Sequence, residues 1–298
     1  RSVAHKLNMP YYVFNFSDEF RCQVMDRFAD AYERGQTPNP CIDCNCYLKF
    51  RRLYDRAALM GCDAIATGHY ARIERENGRY LLKKALDTSK DQSYVLYMLT
   101  QAQLSHTQLP LGALHKTEVR AIAEEQGFYN AKKPDSQDIC FVPDGDYVAF
   151  LRRQGLTLTP GDFLDEAGRV LGRHRGLPCY TIGQGKGLGV AIGRHVYVLE
   201  KDRDRNAIVL GDDAALYASS LLASHVNWIS GQIPAVPVRC AAKTRYSQVE
   251  TPCIAYPLPG DELRVVFDLP QRAITAGQAV VLYDGDEVLG GGTIEKSE

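Results

Sequence analysis

Two patterns of apolar and polar residues divide the chain, and the change between them lies near residue 150. Before it, helical spacing alternates with short apolar runs, as in α/β proteins. From about residue 218, short apolar runs separated by glycine and proline predict a small closed β-barrel. The predicted barrel strands are Leu221–Ile229, Val236–Lys243, Thr251–Tyr256, Glu262–Phe267, Gln278–Tyr283 and Glu287–Ile294.

The first part of the chain predicts an α/β unit that is already under way at residue 1. Ser2–Leu7 has the pattern of a helix end, Tyr11–Phe16 is predicted as a short buried strand, and Ser17 begins a helix to about Glu33. A helix that leads into a strand is typical of the middle of such a unit. We therefore expect a first strand and its phosphate-binding loop to precede residue 1.

A second strand is predicted within Cys62–Tyr70, where an apolar run ends in Gly68 and His69. Ligands of open parallel sheets bind beyond the carboxyl ends of the strands, so these two residues are expected near a ligand. A histidine in this position is compatible with a role in a site and with a satisfied place in the core.

Three further elements follow before residue 150. Asn77-Gly78 predicts a hairpin turn within Arg72–Lys83. A helix carrying Val95, Leu96 and Leu99 is predicted after Lys90, and another is predicted between Thr117 and Gly127.

The section between the two patterns is rich in turns. It predicts a hairpin at Glu166–Gly168 and a strand pair formed by His195–Glu200 and Ala207–Leu210. The glycines of Tyr180–Gly189 lack the preceding strand and following helix of a dinucleotide-binding unit. A flexible loop whose Lys186 closes over a polyanion is the favoured interpretation.

Composition narrows the class of protein. The 298 residues include 35 basic and 36 acidic side chains, so a nucleic acid would have to be bound by local basic patches. No apolar run is long enough for a membrane span, and the start lacks a signal-peptide pattern, which favours the cytoplasm. Nine cysteines, an odd number, are more typical of thiols in a reducing compartment than of a disulfide framework.

The segment Thr37–Phe50 carries the strongest candidate chemistry. Its two prolines fix an extended stretch, and helical spacing begins immediately afterwards. Cys41 and Cys44 are therefore predicted just before or at a helix N-terminus. Because the helix dipole there favours anions, we expect these thiols to ionise more easily than usual.

Several uses of these thiols remain open. Cys41-x-x-Cys44, with Cys46 beside it, could be half of a zinc site, but no second pair of ligands follows. With the distant Cys140 they could form a redox pair or hold three corners of an iron–sulfur cluster. Simple burial is the remaining alternative, and it is predicted for Cys22, Cys62, Cys179, Cys240 and Cys253.

Lys243-Thr-Arg-Tyr246 lies on a predicted barrel strand. Its basic residues could contact a phosphate while Tyr246 stacks on a base. The same pattern also fits a solvated strand face, so this segment alone does not decide between the two.

Taken together, these stretches resemble the tRNA-specific 2-thiouridylase family, which places sulfur on the wobble uridine of certain tRNAs. The matching motifs occur in the family's order and span almost the whole chain. They are Thr37–Asn45 with Lys49-Phe50, Ala66–Arg72, Lys90–Tyr94, Ser136–Phe141, Tyr180–Gln184 with Lys186–Gly189, Lys243-x-Arg245-Tyr246 and Leu289–Ile294.

The resemblance implies an α/β fold with three domains. Residues 1–147 would form an ATP-pyrophosphatase-type domain with the open parallel sheet of the adenine-nucleotide α-hydrolase (PP-loop) class, incomplete at its N-terminus. Residues 148–215 would form a small central tRNA-binding domain, and residues 216–298 a C-terminal β-barrel.

The resemblance also implies roles for individual residues. Cys44 occupies the position of the nucleophile, Cys140 that of the persulfide carrier, and the two are expected to form a transient disulfide. Gly68 falls where the nucleotide binds. The positions that meet the target base or other parts of the tRNA are Asn39, Pro40, Cys41, His69, Lys90, Asp91, Gln92, Arg245, Tyr246 and Gln278.

The implied activity is ATP-dependent 2-thiolation of uridine 34, with ATP and Mg²⁺ required. The partners would be the anticodon region of tRNA and a sulfur-donor relay protein or sulfide source. A monomeric cytoplasmic protein without a membrane partner is expected.

Three departures from the family pattern bear on this expectation. Many members have aspartate where this chain has Cys41, so Cys41, Cys44 and Cys140 could instead ligate a [4Fe–4S] cluster. The Ser-Gly-Gly-Val-Asp-Ser phosphate loop is not found in the 298 residues, which favours the alternative of a non-catalytic tRNA- or cluster-binding fragment. Gly185 replaces a residue that is usually basic. A thiol-redox protein is a third alternative, but it leaves the barrel and the tRNA-like segments unexplained.

Overall fold

The computed structural model describes residues 1–133, 139–190 and 192–298. The motif residues Ser136, Gln137 and Asp138 lie outside this part of the chain. The helices are α1 (Ser2–Lys6), α2 (17–33), α3 (40–59), α4 (Gln101–Ser105), α5 (Lys116–Glu125) and α6 (Tyr147–Arg153). Both α2 and α3 contain a π-helical segment, at Arg21–Asp26 and Cys44–Arg52.

Strands account for most of the remaining regular structure. Those in the described residues are β1 (Ile65–Ala66), β2 (Ala71–Glu76), β3 (Arg79–Lys84), β4 (Thr107–Gln108), β5 (Gly161–Leu164), β6 (Val170–His174), β7 (Tyr197–Asp202), β8 (Ala207–Gly211), β9 (Tyr217–Trp228), β10 (Val238–Lys243), β11 (Thr251–Leu258), β12 (Glu262–Arg272), β13 (Ala279–Asp284) and β14 (Glu287–Ser297).

The C-terminal strands form the predicted closed barrel. Their order is β13-β10-β11-β12-β9-β14, and the ring closes because β13 also pairs with β14. Alternate side chains point inward and are fully buried, as the period of a strand requires; they include Leu221, Leu263, Val265, Leu282 and Ile294.

The predicted hairpin is confirmed, but it belongs to the barrel sheet. Asn77 and Gly78 both have positive φ, as expected for a tight turn between β2 and β3. β3 pairs with β14 through Leu82 and Lys83, so an element of the first part of the chain extends the barrel sheet. In the first part of the chain, the parallel sheet in the described residues consists of β1 and β4.

One hydrophobic core spans both parts of the molecule. Phe50 of α3 and the 3₁₀ turn Ser93–Leu96 belong to the same buried cluster as Tyr283 and Val288 of the barrel. Tyr94 donates a hydrogen bond from its hydroxyl to the carbonyl of Ala279, 2.8 Å away. The α/β part therefore packs directly on the barrel.

The central section forms a separate four-stranded sheet in the order β6-β5-β8-β7. Its hairpin at Glu166–Gly168 and the pair formed by β7 and β8 are as predicted. The helix predicted between Thr117 and Gly127 is confirmed as α5, and Gly127 follows it with a positive φ.

Two local predictions are wrong. Tyr11–Phe16 is not a strand: no described strand pairs with it, and Val13 is 78% exposed. The helix predicted around Val95 and Leu96 is a 3₁₀ turn, because its residues are buried on every side and not on one face.

The predicted burial of the cysteines is confirmed for Cys179, Cys240 and Cys253, whereas Cys22 and Cys62 are exposed. Cys22 lies on the exposed face of α2, and Cys62 lies in the exposed loop after α3. The apolar periodicity of the sequence therefore predicted burial for two side chains that face solvent. No helix in residues 1–133, 139–190 and 192–298 combines the length and the apolar character needed to cross a membrane.

Closure of the barrel depends on a glycine without space for a side chain. A Cβ at Gly291 would lie 2.3 Å from the Val280 carbonyl oxygen and 2.9 Å from the Tyr97 ring, whereas a Cβ at Gly68 would meet only Leu111 at 3.6 Å. We expect Gly291→Ala to destabilise the protein by about 2 kcal/mol or more, because strands β13 and β14 must separate. Gly68→Ala, the matched control, should change stability by less than about 1 kcal/mol. Thermal unfolding compares the two, and equal melting temperatures would contradict this role of Gly291.

Candidate functional site

The predicted helix start before the cysteines is confirmed. The side-chain oxygen of Asn39 accepts a hydrogen bond from the Cys41 backbone N–H, 3.1 Å away, and Pro40 occupies the first helical position. An amide cap followed by proline is a favourable beginning for a helix. The amide oxygen accepts from a first-turn N–H that has no partner within the helix, and proline has no N–H that would need one. Cys41 therefore lies in the first turn and Cys44 one turn further along.

The π-helical segment of α3 determines which side chains share a face with Cys44. Lys49 follows Cys44 by five residues, a separation that places side chains about 140° apart in an α-helix. In a π-helix each N–H bonds to the carbonyl five residues earlier, so residues five apart stack on one side. The segment Cys44–Arg52 thus brings Lys49 to the side of the thiol.

His69 lies just beyond the end of β1, as predicted, and is only 8% exposed. Its Nδ1 is 2.8 Å from the Thr67 hydroxyl, its Nε2 is 3.4 Å from the Lys49 ammonium, and its ring lies against Phe50. Burial, together with the charge of Lys49, lowers the pKa of His69 to about 4. The imidazole is consequently neutral at physiological pH.

The thiols do not have the low pKa values expected from the helix N-terminus. Burial raises the pKa of Cys41 and of Cys44, and the charge of Lys49 opposes this rise at both. Cys41 is exposed by surface area, but enough protein surrounds its thiol to remove much of the stabilising water. Desolvation is the largest influence on the pKa of both thiols.

Cys140 lies within electrostatic reach of both cysteines, since a negative charge on it raises the pKa of Cys41 and of Cys44. All three thiols are free, and Cys140 is exposed. The sequence-distant pair Cys44 and Cys140 is therefore brought to one place. Cys46 faces a different environment, dominated by burial and by Asp43.

The loop Lys90–Gln92 attaches to this site through Gln92 and Asp91. The Gln92 side-chain oxygen accepts the N–H of Tyr70 at 3.0 Å, and the Gln92 N–H donates to the Tyr70 carbonyl at 2.8 Å. The Asp91 carboxylate accepts hydrogen bonds from Ala85 and Ser93. The loop thereby fixes the backbone that follows His69.

Two predicted tRNA-contact segments meet across the junction with the barrel. The Tyr246 hydroxyl donates a hydrogen bond to the carbonyl of Asp91 at 3.0 Å, and its ring packs edge-on against Tyr94. Tyr246 is 45% exposed, so one part of the ring remains accessible to a ligand. Burial raises the pKa of Tyr246, and the charges of Asp91 and Cys41 add to this rise.

Gln278 and Arg245 make contacts within the chain. The Gln278 amide donates to the carbonyl of Thr37 at 2.6 Å, and the Thr37 N–H donates to Ala276 at 2.9 Å. Arg245 donates to the carbonyls of Arg272 and Ala273. The barrel loop is thus attached to the segment that leads into Asn39.

The segments that carry His69, Gln92, Tyr246 and Gln278 are thus linked by hydrogen bonds to one another or to the segment Thr37–Phe50. Gly68 follows β1 between Thr67 and His69, as predicted. Lys186 is exposed in the central section, where its carbonyl accepts a hydrogen bond from the Gln184 amide, 2.9 Å away. The contacts of Thr37, Lys49 and Thr67 were not predicted. The available sequence signal was their position inside the motifs Thr37–Phe50 and Ala66–Arg72, which also carry the cysteines and His69.

A metal-binding arrangement is not present in the described residues. No group of three or more Cys, His, Asp and Glu side chains there could hold a metal ion. A negative charge on Cys140 raises the pKa of Cys41 and of Cys44, but the three thiols do not form such a group.

Comparison with known families covers the chain in three consecutive parts. Residues 1–144 match a model described as a tRNA methyl transferase HUP domain, and residues 149–212 match a tRNA methyl transferase PRC-barrel domain. Residues 218–294 match an aminomethyltransferase β-barrel domain. The α/β class, the central section and the C-terminal barrel predicted from the sequence are thereby confirmed.

Similar proteins extend over the whole chain. A tRNA-specific 2-thiouridylase MnmA from Symbiobacterium thermophilum is 53% identical, over 100% of this chain and 77% of the relative. Proteins of the same name from Acetivibrio thermocellus and Clostridioides difficile are 50% and 49% identical, over 99% and 100% of this chain and 83% of each relative. The chain therefore belongs to the tRNA-specific 2-thiouridylase family.

Proposed function

We propose that this protein replaces the C2 oxygen of the wobble uridine of tRNA by sulfur, in a reaction that consumes ATP. The observation that carries the proposal is the convergence of Cys44 and Cys140 beside the capped start of α3. The names of two matching family models refer to methyl transfer, whereas the relatives are named for thiolation. Two free thiols within electrostatic reach of each other supply what sulfur transfer requires, and this favours thiolation.

The proposed site assigns one role to each group of residues. Cys44 is the nucleophile and Cys140 carries the incoming sulfur as a persulfide. Asn39, Pro40 and Cys41 meet the target base, and Gly68 adjoins the nucleotide. The remaining tRNA contacts are proposed for His69, Lys90, Asp91, Gln92, Arg245, Tyr246 and Gln278. We also propose domain boundaries after residues 147 and 215.

The chemistry follows from the weakness of uracil as an electrophile. Its C2 oxygen is a poor leaving group, so it is first adenylated with release of pyrophosphate. The terminal persulfide sulfur on Cys140 then attacks C2, and AMP leaves with the oxygen. This forms a C2–S–S–Cys140 linkage in which no net redox change has yet occurred.

The final step releases the thiolated base. The Cys44 thiolate attacks the Cys140 sulfur, a Cys44–Cys140 bond forms, and the electron pair of the broken S–S bond becomes part of the thiocarbonyl. A thiol reductant then reopens the disulfide by two-electron reduction. The base has to leave the anticodon stack to reach the thiols, as in other enzymes that modify bases.

The described residues do not fit a protein-held metal centre. No step is therefore assigned to a [4Fe–4S] cluster on Cys41, Cys44 and Cys140, or to Mg²⁺. A persulfide on Cys140 requires a sulfur-donor protein or another sulfide source, and we propose such a partner together with a monomeric enzyme in the compartment of its tRNA, the cytoplasm.

The two reactive thiols provide the direct test of this function. We expect Cys44→Ser and Cys140→Ser each to lower 2-thiouridine formation at least about a hundredfold, because a hydroxyl is far less ionised and does not carry a persulfide. Nucleoside analysis of tRNA by mass spectrometry measures the product. Cys62→Ser, at an exposed cysteine away from the site, is the control. Normal thiolation by either site variant would refute the proposal.

Tyr246 tests the proposed tRNA surface. Stacking of a base on an aromatic side chain contributes about 1–3 kcal/mol, so Tyr246→Ala should weaken tRNA binding roughly 5- to 150-fold. Tyr246→Phe keeps the ring and loses only the hydrogen bond to Asp91. It should therefore bind nearly as well as the unchanged protein.

The comparison is made by fluorescence anisotropy with labelled tRNA at one fixed salt concentration. Equal binding by Tyr246→Ala and the unchanged protein would remove this ring from the interface. An equal loss in both variants would instead assign the effect to the hydroxyl and the Asp91 loop.

A further inference from the structure

Lys49 is a half-buried cation that contacts a neutral partner. Its ammonium lies 3.4 Å from Nε2 of His69, and no carboxylate in the described residues forms an ion pair with it. Removing a charge from water is costly unless another charge or several dipoles compensate. A lysine in this setting is therefore suited to hold an anion that is formed or delivered at the site.

His69 fixes the direction of this ammonium. An ammonium can only donate, so Nε2 is the acceptor and Nδ1 carries the proton. The Nδ1–H then donates to the hydroxyl of Thr67, 2.8 Å away. Because His69 is buried against Phe50, it orients Lys49 without neutralising its charge.

Among the described residues, the thiols on which the charge of Lys49 acts are those of Cys41 and Cys44, at the start of the same helix whose π-helical segment carries Lys49. At both thiols the charge of Lys49 favours the ionised form. The other charged or titratable groups that face Cys44 are Cys41, Cys140 and Asp43, and all of them disfavour its ionisation. The other titratable groups of the described residues that interact with the charge of Cys41 include Cys140 and Tyr246.

We propose that Lys49, held by the Thr67–His69 pair and placed by the π-helical segment of α3, is the positioning residue that stabilises the negatively charged sulfur of Cys44. The inference rests on the proposed function, in which this sulfur attacks Cys140. Lys49 forms and breaks no bond in that step. It keeps the attacking sulfur anionic until its electron pair enters the new S–S bond.

The test is the rate at which iodoacetamide modifies Cys44 in the full chain, measured by peptide mass spectrometry between pH 6 and 10. Alkylation requires the thiolate, so its pH profile reports the ionisation of each cysteine separately. We expect Lys49→Met to slow alkylation of Cys44 about tenfold at pH 7.5 and to move its profile to higher pH. Lys49→Arg, which keeps the charge, should restore most of the rate.

Thr67→Val separates orientation from charge. It removes the acceptor of the Nδ1–H bond while keeping the shape, so the imidazole no longer favours the tautomer that accepts from Lys49. A slowing of about two- to fivefold at Cys44 is expected. Alkylation of exposed Cys62 should be unchanged in all three variants, and matching melting curves confirm that they are folded.

Each result decides between defined outcomes. An unchanged Cys44 profile in Lys49→Met would overturn the role of Lys49, and a profile unchanged by Thr67→Val would overturn the orienting role of the Thr67–His69 pair. Equal slowing in Lys49→Arg and Lys49→Met would assign a packing role to the side chain. Since alkylation needs neither tRNA nor ATP, the result is independent of whether Cys44→Ser abolishes thiolation.

Discussion

The candidate site depends on a hydrophobic core that two differently built parts of the chain share. Tyr94 and Tyr97 lie in a short turn of the α/β part, yet they are buried against barrel strands β13 and β14. Asn227 of the barrel adds hydrogen bonds to the carbonyls of Tyr97 and Leu99. Because the cysteines are carried by one part and Tyr246 and Gln278 by the other, the rigidity of this contact determines how accurately the site is assembled.

Gln278 and Tyr246, which are proposed to contact tRNA, also hold the two parts of the chain together. Gln278 holds the backbone that enters α3, and Tyr246 holds the loop whose Gln92 fixes the backbone that follows His69. A ligand that changes the position of the barrel loop would therefore also act on the start of α3. The contacts of Gln278 and Tyr246 therefore join the barrel loop to both sides of the site.

Local signals predicted a large part of this architecture, and interactions between distant segments account for the rest. Asn77-Gly78 and the alternating barrel runs have short-range causes, so the hairpin and the barrel were predictable. Tyr11–Phe16 was predicted as a strand because its composition is apolar, but a strand needs a neighbour, which composition does not reveal. The π-helical segment Cys44–Arg52 was not predicted, because the spacing of apolar residues does not distinguish it from an α-helix. The pKa of Cys41 and Cys44 was predicted in the wrong direction because burial by other segments is invisible in the local sequence.

The electrostatics of the three thiols lead to an order of events. Burial and negative charge on Cys140 raise the pKa of Cys41 and of Cys44, whereas Lys49, alone among the cations of the described residues, lowers the pKa of both. A single ammonium can stabilise a thiolate at Cys44 while Cys140 carries its sulfur in a covalent bond. Sulfur transfer needs this asymmetry, since an anionic nucleophile attacks most readily a sulfur that is not itself anionic. A neutral His69 can accept a hydrogen bond from Lys49, whereas a charged imidazole has no lone pair to offer and would repel the ammonium.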